Sequence, residues 1–308
     1  MDKIHFPYRS DGHLRLLHVI AESGSWEKHG LDVEYDYYIS AEDAHKAVAN
    51  GTVEFVGGNH LSTYAARTRG DKWIYLGQTV DRVNFALVVK PESPVSGVAD
   101  LKRKVVAHRG GGHPGLNVYL FFKQHGLDVD KEEINLTVIK KQAEVFEAVR
   151  KGTVDAAIVT PPVDVFARRE GFKVIPLDPL PMVEFTTLSS GLPFVETHPD
   201  IVERFLKGVI EGIAFFKNNR QESIGIIQER HTAHGDLDLE AATILYDELD
   251  RRLPRKPYAN MQAIQNAYQI GVRQDKAAEK VNPMELWNFH YLRRIDDSGF
   301  IDKLYEKK

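Results

Sequence analysis

The 308-residue chain contains no cysteine. That excludes disulfides, zinc thiolate sites, iron–sulfur clusters and a cysteine nucleophile. No run of about 18 apolar residues occurs, so no membrane insertion is expected. A basic excess is missing too: 40 Lys and Arg stand against 44 Asp and Glu, a formal net charge of −4. A nucleic-acid partner, which needs a basic stripe, is therefore not expected. Low-complexity tracts are absent. The first residues, MDKIHFPYRSDGH, have no apolar h-region and no small-residue cleavage site. They predict a cytoplasmic location, and a periplasmic one only if a signal peptide has been removed.

What is present is a regular alternation of strand and helix patterns. KIHFPY, LDVEYDYY, TVEFVGG and KWIYLGQTV read as strands. Between them, residues 12–29 and 41–49 show helical periodicity. Ser40 stands in an N-cap position with Asp43 three residues on, and Gly30 and Gly51 supply the stops. FALVVKPES is a first extended crossing. VVAH, INLTVIK, VDAAIVT and FKVIPL then alternate with helices near 114–125, 143–151 and 163–169. MVEFTTLSS is a second crossing, and from Pro199 the pattern is helical nearly to the end. Repeated strand–helix alternation predicts an α/β fold with mostly parallel sheets. Two sets joined by two crossings predict two lobes, 1–86 plus 187–308 and 87–186, with a hinge. Ligands of such sheets bind beyond the carboxyl ends of the strands, here in a shared cleft.

Several segments carry a resemblance. HVIAESGSWEKHGLDVEYDYY, AVANGTVEFVGGNHLSTYAARTRG, VSGVADLKRKVVAHRGGG, EVFEAVRKGTVDAAIVTPP and LSSGLPFVETHPDIVERFLKGVIEGIAF resemble the SsuA and thiamine-pyrimidine-synthase-like (NMT1-type) family. The resemblance covers most of the chain and implies a two-lobe periplasmic-binding-protein fold of type II. It implies either of two functions, because most relatives are solute receptors of ABC transporters and a minority are cytosolic enzymes. The desulfinases of the family use a cysteine and an Arg-x-Gly-Gly motif; here the matching stretch is Phe55-Val56-Gly57-Gly58, and Asp11 falls near the cysteine position. The pyrimidine synthases carry a cysteine-rich iron motif, which this chain lacks.

The residues that follow the strand ends are the site candidates. The glycine turn Gly110, Gly111 and Gly112 precedes a helix start, where free N–H groups favour an anion. Arg109 and Arg9 add cationic contacts. His13, His60 and His113 each follow a strand end, and histidine is the side chain that titrates near neutral pH. An enzyme reading makes His60 an oriented base beside Asp11, with His113 as its partner. Asn59, Thr160 and Glu184 complete the ligand-contacting set. No metal is expected: His231 and His234 are spaced i, i+3 but read as a polar loop. No motif demands an organic cofactor.

Two functions remain open on the sequence. The first is a cytosolic lyase- or hydrolase-type enzyme that cleaves or decarboxylates a small anionic, aromatic or heterocyclic acid. The second is a solute-binding protein that clamps a sulfonate, carboxylate or pyrimidine-like anion and delivers it to an ABC permease. Both require an anion cradle, so Gly111→Val is expected to weaken anion affinity in a binding titration. Unchanged affinity removes the glycine turn from the site.

Overall fold

The computed structural model describes residues 1–110, 112–131, 133–230 and 237–306. The chain divides into two compact units, one made of Met1–Asp81 and Val183–Lys308, the other of Arg82–Met182. The two long strands Trp73–Val83 and Leu180–Gly191 carry the backbone from one unit to the other.

In the first unit, Asp2–His5 pairs in parallel with Leu31–Glu34. A second group of strands runs in the order Phe55–Gly57, Leu180–Gly191, Trp73–Val83. A bridge from Tyr8 to Tyr38 continues the first pair, and one from Tyr8 to Gly57 joins it to the second group. Phe55–Gly57 and Leu180–Gly191 run antiparallel. The second unit holds five strands in the order Asn135–Ile139, Val105–Arg109, Ala156–Val159, Ala86–Val89, Lys173–Pro176. Ala86–Val89 runs against both its neighbours, while Val105–Arg109 runs parallel to both of its own. The fold is thus α/β with mixed sheets. The antiparallel strands are those the sequence reads as crossings, because a chain that returns through a parallel sheet runs against it.

Local chemistry explains most element boundaries. Ser40 Oγ accepts from Asp43 N at 3.1 Å and caps Ala41–Asn50, and Gly51 closes that helix at φ 67°. Residues 12–29 do not form one helix. Leu14–Glu22 ends where Ser23 Oγ donates back to Ile20 O and Gly24 turns to φ 67°, and Ser25–Lys28 starts afresh. Hydrophobic periodicity alone runs through that break, because both pieces face the same partner.

That partner is the helix Pro199–Asn218. Its Gly208 and Gly212 meet the two N-terminal pieces so closely that a Cβ on Gly208 would lie 2.3 Å from Trp26 Cδ1. A Cβ on Gly212 would lie 2.6 Å from Ile20 Cγ1 and 2.9 Å from Ile20 Cα. On the same helix Phe205 stacks on Phe55 with centroids 3.8 Å apart, and meets Phe6 edge-on at 4.9 Å. The second unit has its own smaller core, built on Val88, Ala107, Val145, Phe146, Val149 and Val159.

Gly212→Ala is expected to destabilise the chain. Overpacking costs about 1–3 kcal/mol and outweighs about 1 kcal/mol of helix propensity gained. A lower denaturant midpoint at unchanged slope checks this, and a raised midpoint contradicts the close approach.

Candidate functional site

The sequence candidates fall in both units. Arg9, His13, Asn59, His60 and Glu184 belong to the first, and Arg109, Gly110 and Thr160 to the second. Gly111 lies outside the described residues, as do the side chains of Asp11, Gly112 and His113 and both His231 and His234.

In the first unit the adjacent ends of three strands meet. Arg9 N donates to Gly57 O at 3.2 Å, and Gly58 N donates to Thr187 O at 3.0 Å. Gly57 and Gly58 form the floor. A Cβ on Gly58 would sit 2.9 Å from Arg9 Cβ and 3.1 Å from His13 Cε1. A Cβ on Gly57 would sit 3.4 Å from Thr186 Cγ2 and 3.5 Å from His13 Nδ1. The floor is therefore glycine because side chains from both neighbouring strand ends close over it.

Around this floor four buried polar atoms have no hydrogen-bond partner: Arg9 Nε, His13 Nδ1, Asn59 Nδ2 and Thr186 Oγ1. His13 is 3 %, Asn59 7 % and Thr186 1 % exposed. Buried polar groups are nearly always paired, so four orphans in one place mark a site for an outside partner. Arg9 Nε and Asn59 Nδ2 are donors, Thr186 carries a hydroxyl hydrogen, and a neutral imidazole can donate from Nδ1. The set suits an oxygen acceptor.

The backbone here is also unusual. Asn59 has φ 70° and Phe185 φ 53°, two of the three non-glycine residues with positive φ among those described. A bulky residue in that region is strained, and such strain concentrates at functional sites. The Phe185 ring lies 6.5 Å from that of His13, and the Arg252 guanidinium sits 4.9 Å from its centroid.

The charges are fixed by their surroundings. Arg9 Nη1 donates to Ile39 O at 2.5 Å and to Tyr38 Oη at 3.3 Å, which holds the guanidinium at the rim. Burial pushes the His13 imidazole down to about 3; the Arg9 charge acts the same way, against an upward pull from the Gly57 backbone. At neutral pH His13 is thus an uncharged hydrogen-bonding group.

His60 is oriented from behind. Gln78 Nε2 donates to Val80 O at 2.7 Å and to Glu184 O at 2.5 Å, so its Oε1 accepts, here from Thr187 Oγ1 at 2.6 Å. With its hydrogen committed, Thr187 Oγ1 accepts from His60 Nδ1, 2.6 Å away. The His60 and His13 rings are 6.5 Å apart. Glu184 contributes its carbonyl to this chain of bonds. The sequence reading misses Gln78, Thr187 and Phe185. Their residue types carry no signal, and only the strand pairing brings Gln78 to Thr187.

In the second unit the glycine turn is partly occupied by structure. Gly110 N donates to Ile139 O at 2.9 Å, and a Cβ on Gly110 would lie 1.8 Å from Val138 Cγ1. That N–H extends the sheet, and that glycine is required by packing. Arg109 is exposed at the end of Val105–Arg109, and Thr160 follows Ala156–Val159.

Comparisons with known proteins agree with this architecture. The family model described as NMT1/THI5 like matches residues 16–223, more than half of the chain. The periplasmic sulfonate-binding protein SsuA of a sulfonate ABC transporter from Methylobacillus flagellatus KT is similar at TM-score 0.73 and 14 % identity, over 99 % of this chain and 96 % of that one. The periplasmic aliphatic sulphonate binding protein SsuA from Escherichia coli is similar at TM-score 0.67 and 16 % identity, over 93 % and 99 %. The alkanesulfonate-binding protein SsuA from Xanthomonas axonopodis pv. citri, bound to MOPS, is similar at TM-score 0.58 and 14 % identity, over 92 % and 95 %. No curated protein matches the sequence. At such identities the likeness establishes the fold.

These neighbours overturn two expectations. The cytosolic enzyme that cleaves or decarboxylates an acid with His60, Asp11 and His113 gives way to the binding-protein alternative. The cytoplasmic location gives way with it, since the neighbours are periplasmic transporter components. The physical reason is that titratable residues at strand ends serve ligand binding as readily as proton transfer. Among the described residues no helix is long and apolar enough to cross a membrane.

A neutral buried His13 makes stability pH-dependent. Its folded pKa of about 3 lies below the ordinary 6.5, so between these values the unfolded chain binds the extra proton. Stability is full above about pH 6.5 and falls as pH drops toward 3, by up to about 1.4 kcal/mol per unit. His13→Gln is expected to flatten this acid limb in urea denaturation at pH 7, 6 and 5. An unchanged slope contradicts the burial of a neutral ring. The chain belongs to the NMT1/THI5-like family.

Proposed function

We propose that the chain is a solute-binding protein that takes up a small organic anion, of the sulfonate or carboxylate class, at the strand ends of the first unit. The single observation that carries this reading is the set of unpartnered buried polar atoms at Arg9, His13, Asn59 and Thr186. One fixed guanidinium and several neutral donors suit a monoanion. Neutral donors stabilise charge in a buried site without adding like-charge repulsion. The sulfonate-binding neighbours support the ligand class and a periplasmic setting. In this role the protein would hand its ligand to an ABC permease. His60 serves as a ligand contact.

The test is isothermal titration with ethanesulfonate, benzenesulfonate and benzoate, followed by mass analysis of the released ligand. One-to-one binding and unchanged ligand are expected. Arg9→Ala and Asn59→Ala are each expected to weaken affinity about tenfold or more, the worth of a charge-assisted hydrogen bond. Binding of none of the three, or affinity indifferent to both substitutions, refutes the proposal.

A further inference from the structure

Behind Asn59 lies a second chain of hydrogen bonds that the site described above does not use. Asp71 Oδ2 is 2.6 Å from His45 Nδ1. His45 Nε2 is 2.9 Å from Ser62 Oγ. Ser62 Oγ donates to Asn59 Oδ1 at 3.3 Å. The four residues come from four places: the helix Ala41–Asn50, the turn after Phe55–Gly57, the first position of the helix Ser62–Arg67, and the loop before Trp73–Val83.

Each link fixes the next. Asp71 is itself held, because its Oδ1 accepts from Trp73 N at 2.8 Å. Burial pulls the Asp71 carboxyl up. The hydrogen bond and charge of His45, the Trp73 amide and the Arg67 charge outweigh burial and keep it below the usual range. An ionised Asp71 accepts from His45 Nδ1, and the ring packs against Trp73 at 5.1 Å, which aims Nε2 at Ser62; the single Ser62 hydrogen goes to Asn59 Oδ1 when both ring nitrogens carry hydrogen, and to Nε2 when only Nδ1 does. Asp, His and Ser in this order activate a nucleophile in other proteins. Here the hydroxyl ends on an amide oxygen instead.

That endpoint matters because an asparagine amide has two faces of nearly equal shape. Rotated one way Asn59 offers N–H to an anion, and rotated the other way it offers a carbonyl oxygen that repels it. Its Nδ2 is buried and unpartnered, while its Oδ1 is engaged. We infer that Asp71, His45 and Ser62 are positioning residues that lock the Asn59 amide with its donor toward the ligand, and so set affinity and selectivity for an anion. The inference rests on the anion-binding reading above.

The experiment is a double-mutant cycle on the full chain, with ethanesulfonate as the probe in isothermal titration. Ser62→Ala is expected to weaken binding about three- to tenfold in the otherwise native chain and to have no effect in an Asn59→Ala background. Ser62→Thr, which keeps the hydroxyl, restores most of the loss. Asp71→Asn and His45→Ala lower affinity in the same coupled way, and thermal melts show that each variant is folded. A loss of equal size in both backgrounds, or no loss, overturns the positioning role while leaving anion binding intact. A native chain that binds none of ethanesulfonate, benzenesulfonate and benzoate overturns both.

Discussion

The helix Pro199–Asn218 lies against Leu14–Glu22 at a separation that leaves no room for a Cβ at Gly212. Much of the first unit depends on this contact. It lets Phe205 stack face to face on Phe55 and edge-on to Phe6, which ties the helix to the first and third strands. Beyond the first strand, Pro7 to Arg9 run beside the end of the third, and the hydrogen bonds from Arg9 N to Gly57 O and from Gly57 N to Pro7 O keep the two in register. The position of Arg9 relative to His13 and Asn59 is therefore set by apolar packing on the far side of the sheet.

On that frame the site is assembled as a ring of donors with little formal charge. A guanidinium pinned by a backbone carbonyl contributes the positive field. A buried imidazole contributes hydrogen-bonding capacity without a second cation. Behind the ring, two runs of hydrogen bonds back these donors, from Gln78 through Thr187 to His60 and from Asp71 through His45 and Ser62 to Asn59. Such preorganisation lowers the cost of immobilising side chains when a ligand arrives.

Much of this was legible in the sequence. The alternation of strand and helix, the Ser40 cap and the Gly51 stop are local features, and local chemistry decided them. The proximity of Arg9, His13, Asn59 and His60 was legible because the residues after neighbouring strands collect at one edge. The rest depended on distant pairing. Thr187 meets Gln78 across 109 positions of chain, and Phe185 departs from the extended backbone of its strand at φ 53°, which no residue type announces. The helix over residues 12–29 failed at Ser23 and Gly24, where a side-chain bond and a left-handed turn interrupt an unbroken apolar stripe. The enzyme reading failed because a histidine beside a strand end looks the same to the sequence whether it moves a proton or holds one.

The discontinuity of the first unit has a temporal consequence. A ribosome releases Leu17, Ile20, Trp26 and Phe55 long before it releases Phe205, Gly208 and Gly212. At ~5–20 residues per second the wait is on the order of ten to thirty seconds. Before that interval ends Arg82–Met182 has emerged whole, while Trp26 and Phe55 still lack the helix against which they pack. The inserted unit is thus the first whose residues are all present as the chain grows, and the unit that holds Arg9 and Asn59 gains its central packing partner only with the helix Pro199–Asn218.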